Sequence, residues 1–204
     1  MKRTALLMTL FAGVFLAAQS RAQAQTSGAY AGVGVMSVWT DNAKEFARTT
    51  YGFSGSGDDI ATGFKVYGGY LWPSRFGVEV GYYDLGSYDV KDFGAKTDDF
   101  AVNAFTVSGV FAMPIGRNLD FNAKAGIAFT NADYTCVSLC GFPYVNTSKS
   151  GTAGVIGAGV GWRVAPNFSL RADYEIFSGV RHAVGSIEAD YDYGALSLSA
   201  LVRF

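Results

Sequence analysis

Six charged residues occupy positions where a β-strand would turn them all to one side. Lys65 stands between Phe64 and Val66, Glu79 between Val78 and Val80, and Lys124 between Ala123 and Ala125. Arg171, Asp173 and Glu175 alternate with Leu170, Ala172, Tyr174 and Ile176. Side chains alternate faces along a strand, so each of these ions points away from an apolar neighbouring face. Three cations and three anions on enclosed faces must pair, because stripping one partner from a buried pair costs about 3–5 kcal/mol. The first chemistry implied is therefore a salt-bridged interior.

Two further groups are reactive types. Cys136 and Cys140 are the only cysteines, and an even count reads as a disulfide wherever a chain matures in an oxidising compartment. The ring they close is small and contributes on the order of 2 kcal/mol, so it shapes a loop tip more than it holds the fold. No histidine lies close to them in sequence, so no metal site is expected, and their spacing does not suit a redox pair. His182, the only histidine, falls near Ser178 and Glu188. That trio admits a hydrolase reading, but Ser, His and Glu are ordinary occupants of a polar loop. The acidic clusters at Asp58-Asp59, Asp98-Asp99, Glu188, Asp190 and Asp192 read as solvated surface, with divalent-cation bridging to an anionic lipopolysaccharide as their functional alternative.

The elements that must position the six charges come from the alternation itself. From Gly28 onward, runs of about ten residues carry an apolar set against a set of Gly, polar and charged residues. Outward sets are Ala31, Val33, Val35 and Trp39; then Phe64, Val66, Tyr70 and Trp72; then Phe76, Val78, Val80 and Tyr82. Five similar runs follow, the last holding Leu196, Leu198, Ala200, Val202 and Phe204 opposite Ser197, Ser199 and Arg203. Tight links at 73–75, 114–118 and 165–167 alternate with long polar segments at 41–61, 84–99, 131–150 and 178–190, which are expected to be loops. A soluble barrel hides its apolar set, whereas here the charged set is the better interior, and short links alternating with long ones complete the layout of a membrane barrel. Aromatic residues gather at both ends of the outward faces, as interfacial girdles require. The predicted fold is all-β: an eight-stranded antiparallel up-and-down transmembrane β-barrel.

The chain ends agree. Lys2 and Arg3 precede an apolar run from Ala5 to Ala18, and Ala22-Gln23-Ala24 supplies a small-x-small cleavage site, so residues 1–24 are expected to be a cleaved signal peptide and 25–204 the barrel domain. Without Lys2, Arg3 and Arg21, 13 basic face 17 acidic residues, a formal charge of −4 that gives no footprint for nucleic acid. Twenty-six Gly, twelve Tyr and sixteen Phe beside four Pro suit a single β domain.

Particular segments carry a family resemblance. Gly68-Gly69-Tyr70, the run Phe76-Gly-Val-Glu-Val-Gly-Tyr-Tyr-Asp-Leu-Gly86, and Leu170-Arg-Ala-Asp-Tyr174 resemble the OmpA-like transmembrane domain and its small opacity-type relatives, over residues 28–204. The last strand, ending on Phe204 with Val202, Leu198 and Leu196 outward, resembles the closing strand read by the barrel-insertion machinery. The resemblance implies an outer-membrane location and a Glu–Arg pair across the lumen that acts as a narrow gate. Its positions match Glu79 and Arg171, with Lys124 as the fifth-strand cation. Two departures are visible: Val110 stands where the family has a fourth-strand lysine, and Gly161 where it has a sixth-strand acid. The expected function is a monomeric, non-catalytic barrel without cofactor, serving envelope integrity and surface interaction through its long loops with host or surface ligands. A narrow pore for small solutes and an outer-leaflet lipid hydrolase are the alternatives.

Overall fold

The computed structural model describes residues 27–40, 55–57, 60–92, 95–136, 146–184 and 187–204. The expected signal peptide lies outside the described residues. Eight strands form the barrel: β1 (Gly28–Trp39), β2 (Ile60–Leu71), β3 (Phe76–Asp92), β4 (Ala95–Pro114), β5 (Leu119–Cys136), β6 (Asn146–Ala165), β7 (Phe168–Val184) and β8 (Ile187–Arg203). A three-residue strand, Gly55–Gly57, adds to the far end of β3. Each barrel strand pairs antiparallel with its sequence neighbour, and β8 pairs back onto β1 from Tyr30↔Arg203 to Trp39↔Gly194, which closes the sheet. Closure leaves no unpaired edge, the requirement for a sheet in hydrocarbon.

The outward face is apolar around the barrel. Val35, Phe76, Ile127, Ile156, Leu196 and Leu198 are each at least half exposed, while the alternate positions are buried. From Phe64 on β2 to Trp72 just past its end, the outward aromatic and aliphatic residues span about 27 Å along the strand, which a tilt of about 40° reduces to roughly the height of a membrane barrel's apolar band. That measure exposes a difference from the sequence reading. Strands β4 and β6 are 20 residues long, about twice what a spanning strand needs. Three of the four expected loops are instead largely strand: β3 and β4 leave only residues 93–94 between them, and β7 and β8 only 185–186.

The reason is a reversal of the pattern. Past the aromatic girdle the outward positions become polar, as at Asn131, Ser148, Ser150 and Ser178, while the inward ones become apolar, as at Leu85, Val102, Val155 and Phe177. Two bulges also shift the phase, between Asp84 and Ser87 and between Phe177 and Val180. Gly86 and Gly179 take φ of 85° and 79° there, a region glycine enters without steric cost. Asp84 Oδ1 accepts from Gly86 N at 2.9 Å, and Asp192 Oδ1 from Gly179 N at 3.0 Å and Ser178 Oγ at 2.8 Å. Each bulge is thus fastened by a carboxylate.

Glycines also admit large inward side chains near the closing seam. Tyr30 pairs with Gly69, and Tyr67 with Gly32. A Cβ on Gly32 would sit 2.4 Å from the Tyr67 ring, and one on Gly69 2.6 Å from the Tyr30 hydroxyl. The two tyrosines therefore lie flat across each other's strands. At the tight-turn end, Arg75 adopts φ 71° in the link Trp72–Arg75, closed by Arg75 N→Trp72 O at 3.0 Å. This is the slot that a hairpin usually fills with glycine or asparagine, and a larger residue there costs about 1–2 kcal/mol.

Candidate functional site: a closed ring of charges in the lumen

All six interior charges meet at one level of the barrel. They come from four strands: Lys65 from β2, Glu79 from β3, Lys124 from β5, and Arg171, Asp173 and Glu175 from β7. None is more than 6% exposed. Lys65 Nζ lies 2.8 Å from Asp173 Oδ2 and 2.7 Å from Glu175 Oε2. Arg171 donates from Nε to Asp173 Oδ2 at 2.8 Å and from Nη1 and Nη2 to the two oxygens of Glu79 at 2.9 and 3.3 Å. Lys124 Nζ closes the circuit, 3.0 Å from Glu79 Oε1 and in contact with Glu175 Oε1. The order is Lys65, Asp173, Arg171, Glu79, Lys124, Glu175 and back to Lys65, so signs alternate and every ion touches two counter-ions.

Tyrosines complete the ring. Tyr30 donates to Glu79 Oε2 at 3.0 Å, Tyr83 donates to Glu175 Oε1 at 2.9 Å, and Lys124 donates to Tyr83 Oη at 2.8 Å. The Arg171 guanidinium carbon stands 4.3 Å from the centroid of Tyr67, and Lys65 lies 5.3 Å from the same ring. Burying six ions is unfavourable unless their hydrogen-bonding capacity is met, and these partners meet most of it. Strand β6 supplies only space. A Cβ on Gly157 would meet Glu175 Cγ at 3.0 Å, and one on Gly159 would meet Asp173 Oδ1 at 2.1 Å. The β7 carboxylates lean over that glycine stripe.

The lumen differs on the two sides of the ring. Away from the tight turns it is filled by an apolar cluster that includes Val38, Leu85, Val102, Val155, Phe177 and Val180, with Tyr83 bridging ring and cluster through an edge contact to Phe177 at 5.4 Å. Toward the tight turns, Tyr30, Tyr67, Leu71 and Leu201 form a smaller cluster beside a cavity of about 40 Å³ that reaches Arg171. Val110 and Gly161, the two departures from the family pattern, both line this cavity.

Nearer the mouth lies a group that the sequence reading missed. Asp120 Oδ2 accepts from Arg163 Nη2 and Arg203 Nη2, each at 3.3 Å, and Arg203 Nη1 donates to Ser169 Oγ at 2.9 Å. Asp120 follows a tight link, but its parity with Asn122 and Lys124 was the available signal that it points inward.

The remaining expected site residues are placed as follows. Val202, Leu198 and Leu196 face outward on β8, and Phe204 N donates to Ala29 O at 2.9 Å, which ties the last residue to the first strand. Trp39 lies across Gly194 at the same seam and stacks on Tyr174 at 5.7 Å. Cys136 ends β5, while its side chain and Cys140 lie outside the described residues, as do the side chains of His182 and Glu188. Ser178 donates its hydroxyl to Asp192. No cluster of three or more His, Cys, Asp or Glu able to hold a metal occurs among the described residues.

A closed eight-stranded sheet with an apolar exterior and a paired ionic interior defines an outer-membrane β-barrel. The chain belongs to the OmpA-like transmembrane domain family, whose model matches residues 24–204. Solved structures of the same fold include neisserial surface protein A, with 18% identity, 87% of this chain and 98% of that one covered, and a TM-score of 0.59. The attachment invasion locus protein Ail of Yersinia pestis, in complex with the heparin analogue sucrose octasulfate, matches at 18% identity over 88% of this chain and 100% of the other, with a TM-score of 0.54. OprG of Pseudomonas aeruginosa matches at 12% identity over 87% and 97% of the two chains, with a TM-score of 0.53. No curated protein sequence matches the chain.

Proposed function

We propose that this protein is a sealed, non-catalytic outer-membrane barrel that supports envelope integrity and uses its long hairpins for surface interaction. The observation that carries the reading is the double closure of the lumen, by the six-ion ring and by the apolar cluster beyond it. Both layers fill the lumen with paired or packed side chains, which supports a sealed barrel, and the elongated strands raise a polar outer surface beyond the girdle.

The partner chemistry follows from charge. The segments 41–61, 84–99, 131–150 and 178–190 hold twelve acidic and six basic residues. A net negative surface favours a cationic or neutral partner, or lipopolysaccharide bridged by divalent cations, over a polyanion such as the sulfated sugar in the Ail complex. The last strand, with Phe204 outermost, is the segment we assign to the barrel-insertion machinery. Binding of lipopolysaccharide and of host-cell surfaces by variants with one hairpin exchanged at a time tests the surface role. Loss confined to one hairpin supports it, and undiminished binding by all four variants contradicts it. A narrow pore is the second reading, favoured by the cavity below Arg171.

A further inference from the structure

We propose that the pocket beside the first tight turn binds the headgroup of an anionic phospholipid, whose phosphate charge no ammonium offsets, with Arg75 and Arg203 as its cationic ligands. The inference rests on the membrane-barrel reading of the fold. The pocket has a volume of about 220 Å³ and is walled by Trp72, Arg75, Met113, Pro114, Asp120 and Arg203. Its composition matches a lipid that lies half in and half out of the barrel wall. Trp72 is 44% exposed on the lipid-facing side of β2 and belongs to the girdle, and Met113 continues the outward face of β4. Two guanidiniums supply charge and planar donors suited to phosphate oxygens.

The charge at the pocket is not cancelled. Asp120, the carboxylate in the wall, is shared by Arg163 and Arg203. Arg75 has no carboxylate within salt-bridge distance among the described residues, and it occupies a left-handed position that glycine would fill without strain. Its carbonyl accepts from Ala112 N at 2.9 Å, so the backbone is pinned between β3 and β4 while the guanidinium is free to engage a ligand. A residue that is conformationally disfavoured, exposed and unpaired is explained by a ligand better than by the turn.

The left-handed backbone at Arg75 also supplies a clean variant. Arg75→Gly removes the cation while suiting the turn, so it should leave thermal unfolding unchanged or raise its midpoint. The full barrel in zwitterionic micelles is titrated with phosphatidylglycerol, phosphatidylcholine and inorganic phosphate, and bound lipid is counted by native mass spectrometry. Wild type should bind phosphatidylglycerol at least fivefold more tightly than phosphatidylcholine, and Arg75→Gly should lose that preference. Arg117→Gly, at another tight turn and outside the pocket, should keep it. Equal preference in wild type and Arg75→Gly overturns the site. So does an equal loss in Arg117→Gly, which would mean diffuse charge attraction. Inorganic phosphate binding as tightly as the lipid would overturn the lipid as occupant.

Discussion

The two halves of the lumen solve the same packing problem with opposite chemistry. In the membrane half, where the barrel wall meets hydrocarbon, the interior holds Lys65, Glu79, Lys124, Arg171, Asp173 and Glu175 in an alternating ring. In the far half, where the outer surface turns polar, the interior holds Leu85, Val102, Val155, Phe177 and Val180. The far half follows the rule of soluble barrels, with water outside and oil inside, and is held by the hydrophobic effect. The membrane half gains little by hiding oil from oil, so directional ion pairs and hydrogen bonds provide its cohesion. One sheet thus changes its stabilising force part-way along its strands. The two halves should therefore respond differently to the same kind of insult.

The largest effect is expected in the ring. Glu79→Ala leaves Arg171 without its bidentate partner, Lys124 with one counter-ion fewer and Tyr30 without its acceptor. Urea unfolding of the barrel in lipid should show a loss of about 3–5 kcal/mol. A change below about 1 kcal/mol would mean that the remaining ions rearrange freely.

Next in size is a charge placed on the lipid side of the same level. Leu198, 57% exposed and facing outward, pairs with Ala172 between the ring residues of β7. Leu198→Arg should cost about 2–4 kcal/mol near the midplane and reduce the heat-modifiable form recovered from the membrane. Normal recovery would contradict the outward assignment of β8.

The far half should yield less per substitution and in a different way. Val180→Ala removes two buried methyl groups from the apolar cluster and should cost about 2 kcal/mol. Its signature is faster amide exchange in the β7–β8 extension with protection of the ring level largely unchanged, because Val180 packs in the apolar cluster, which reaches the ring through Tyr83. Coupled loss of protection at both levels would merge them into one.

The membrane half was legible in the sequence almost residue by residue, because one phase of a period-two pattern persists there. Phe76, Val78, Val80 and Tyr82 face out and Glu79 and Tyr83 face in, as the alternation requires. The far half was not legible as strand. There the outward set becomes polar, the inward set apolar, and bulges at Gly86 and Gly179 shift the count by one, so the same backbone reads as loop. At the site, parity could place the six charges on the inner face but could not order them. That Lys124 joins Glu79 to Glu175, and that Tyr30 and Tyr83 serve carboxylates, depends on strand stagger and on glycines such as Gly69 that admit a ring. Asp120 was hidden by its place beside a turn.

A lumen closed at two levels should carry no current, and electrical recording tests that closure. In planar bilayers the wild-type barrel should insert without a steady ion current if the ring and the apolar cluster fill the lumen as proposed. Val110→Lys, cross-strand from Lys124 and on the wall of the cavity below the ring, should introduce a competing cation for Glu79 and loosen the ring, while the apolar cluster beyond it keeps the conductance low. A large, steady current through the wild-type protein would contradict the sealed lumen and establish the narrow pore in its place.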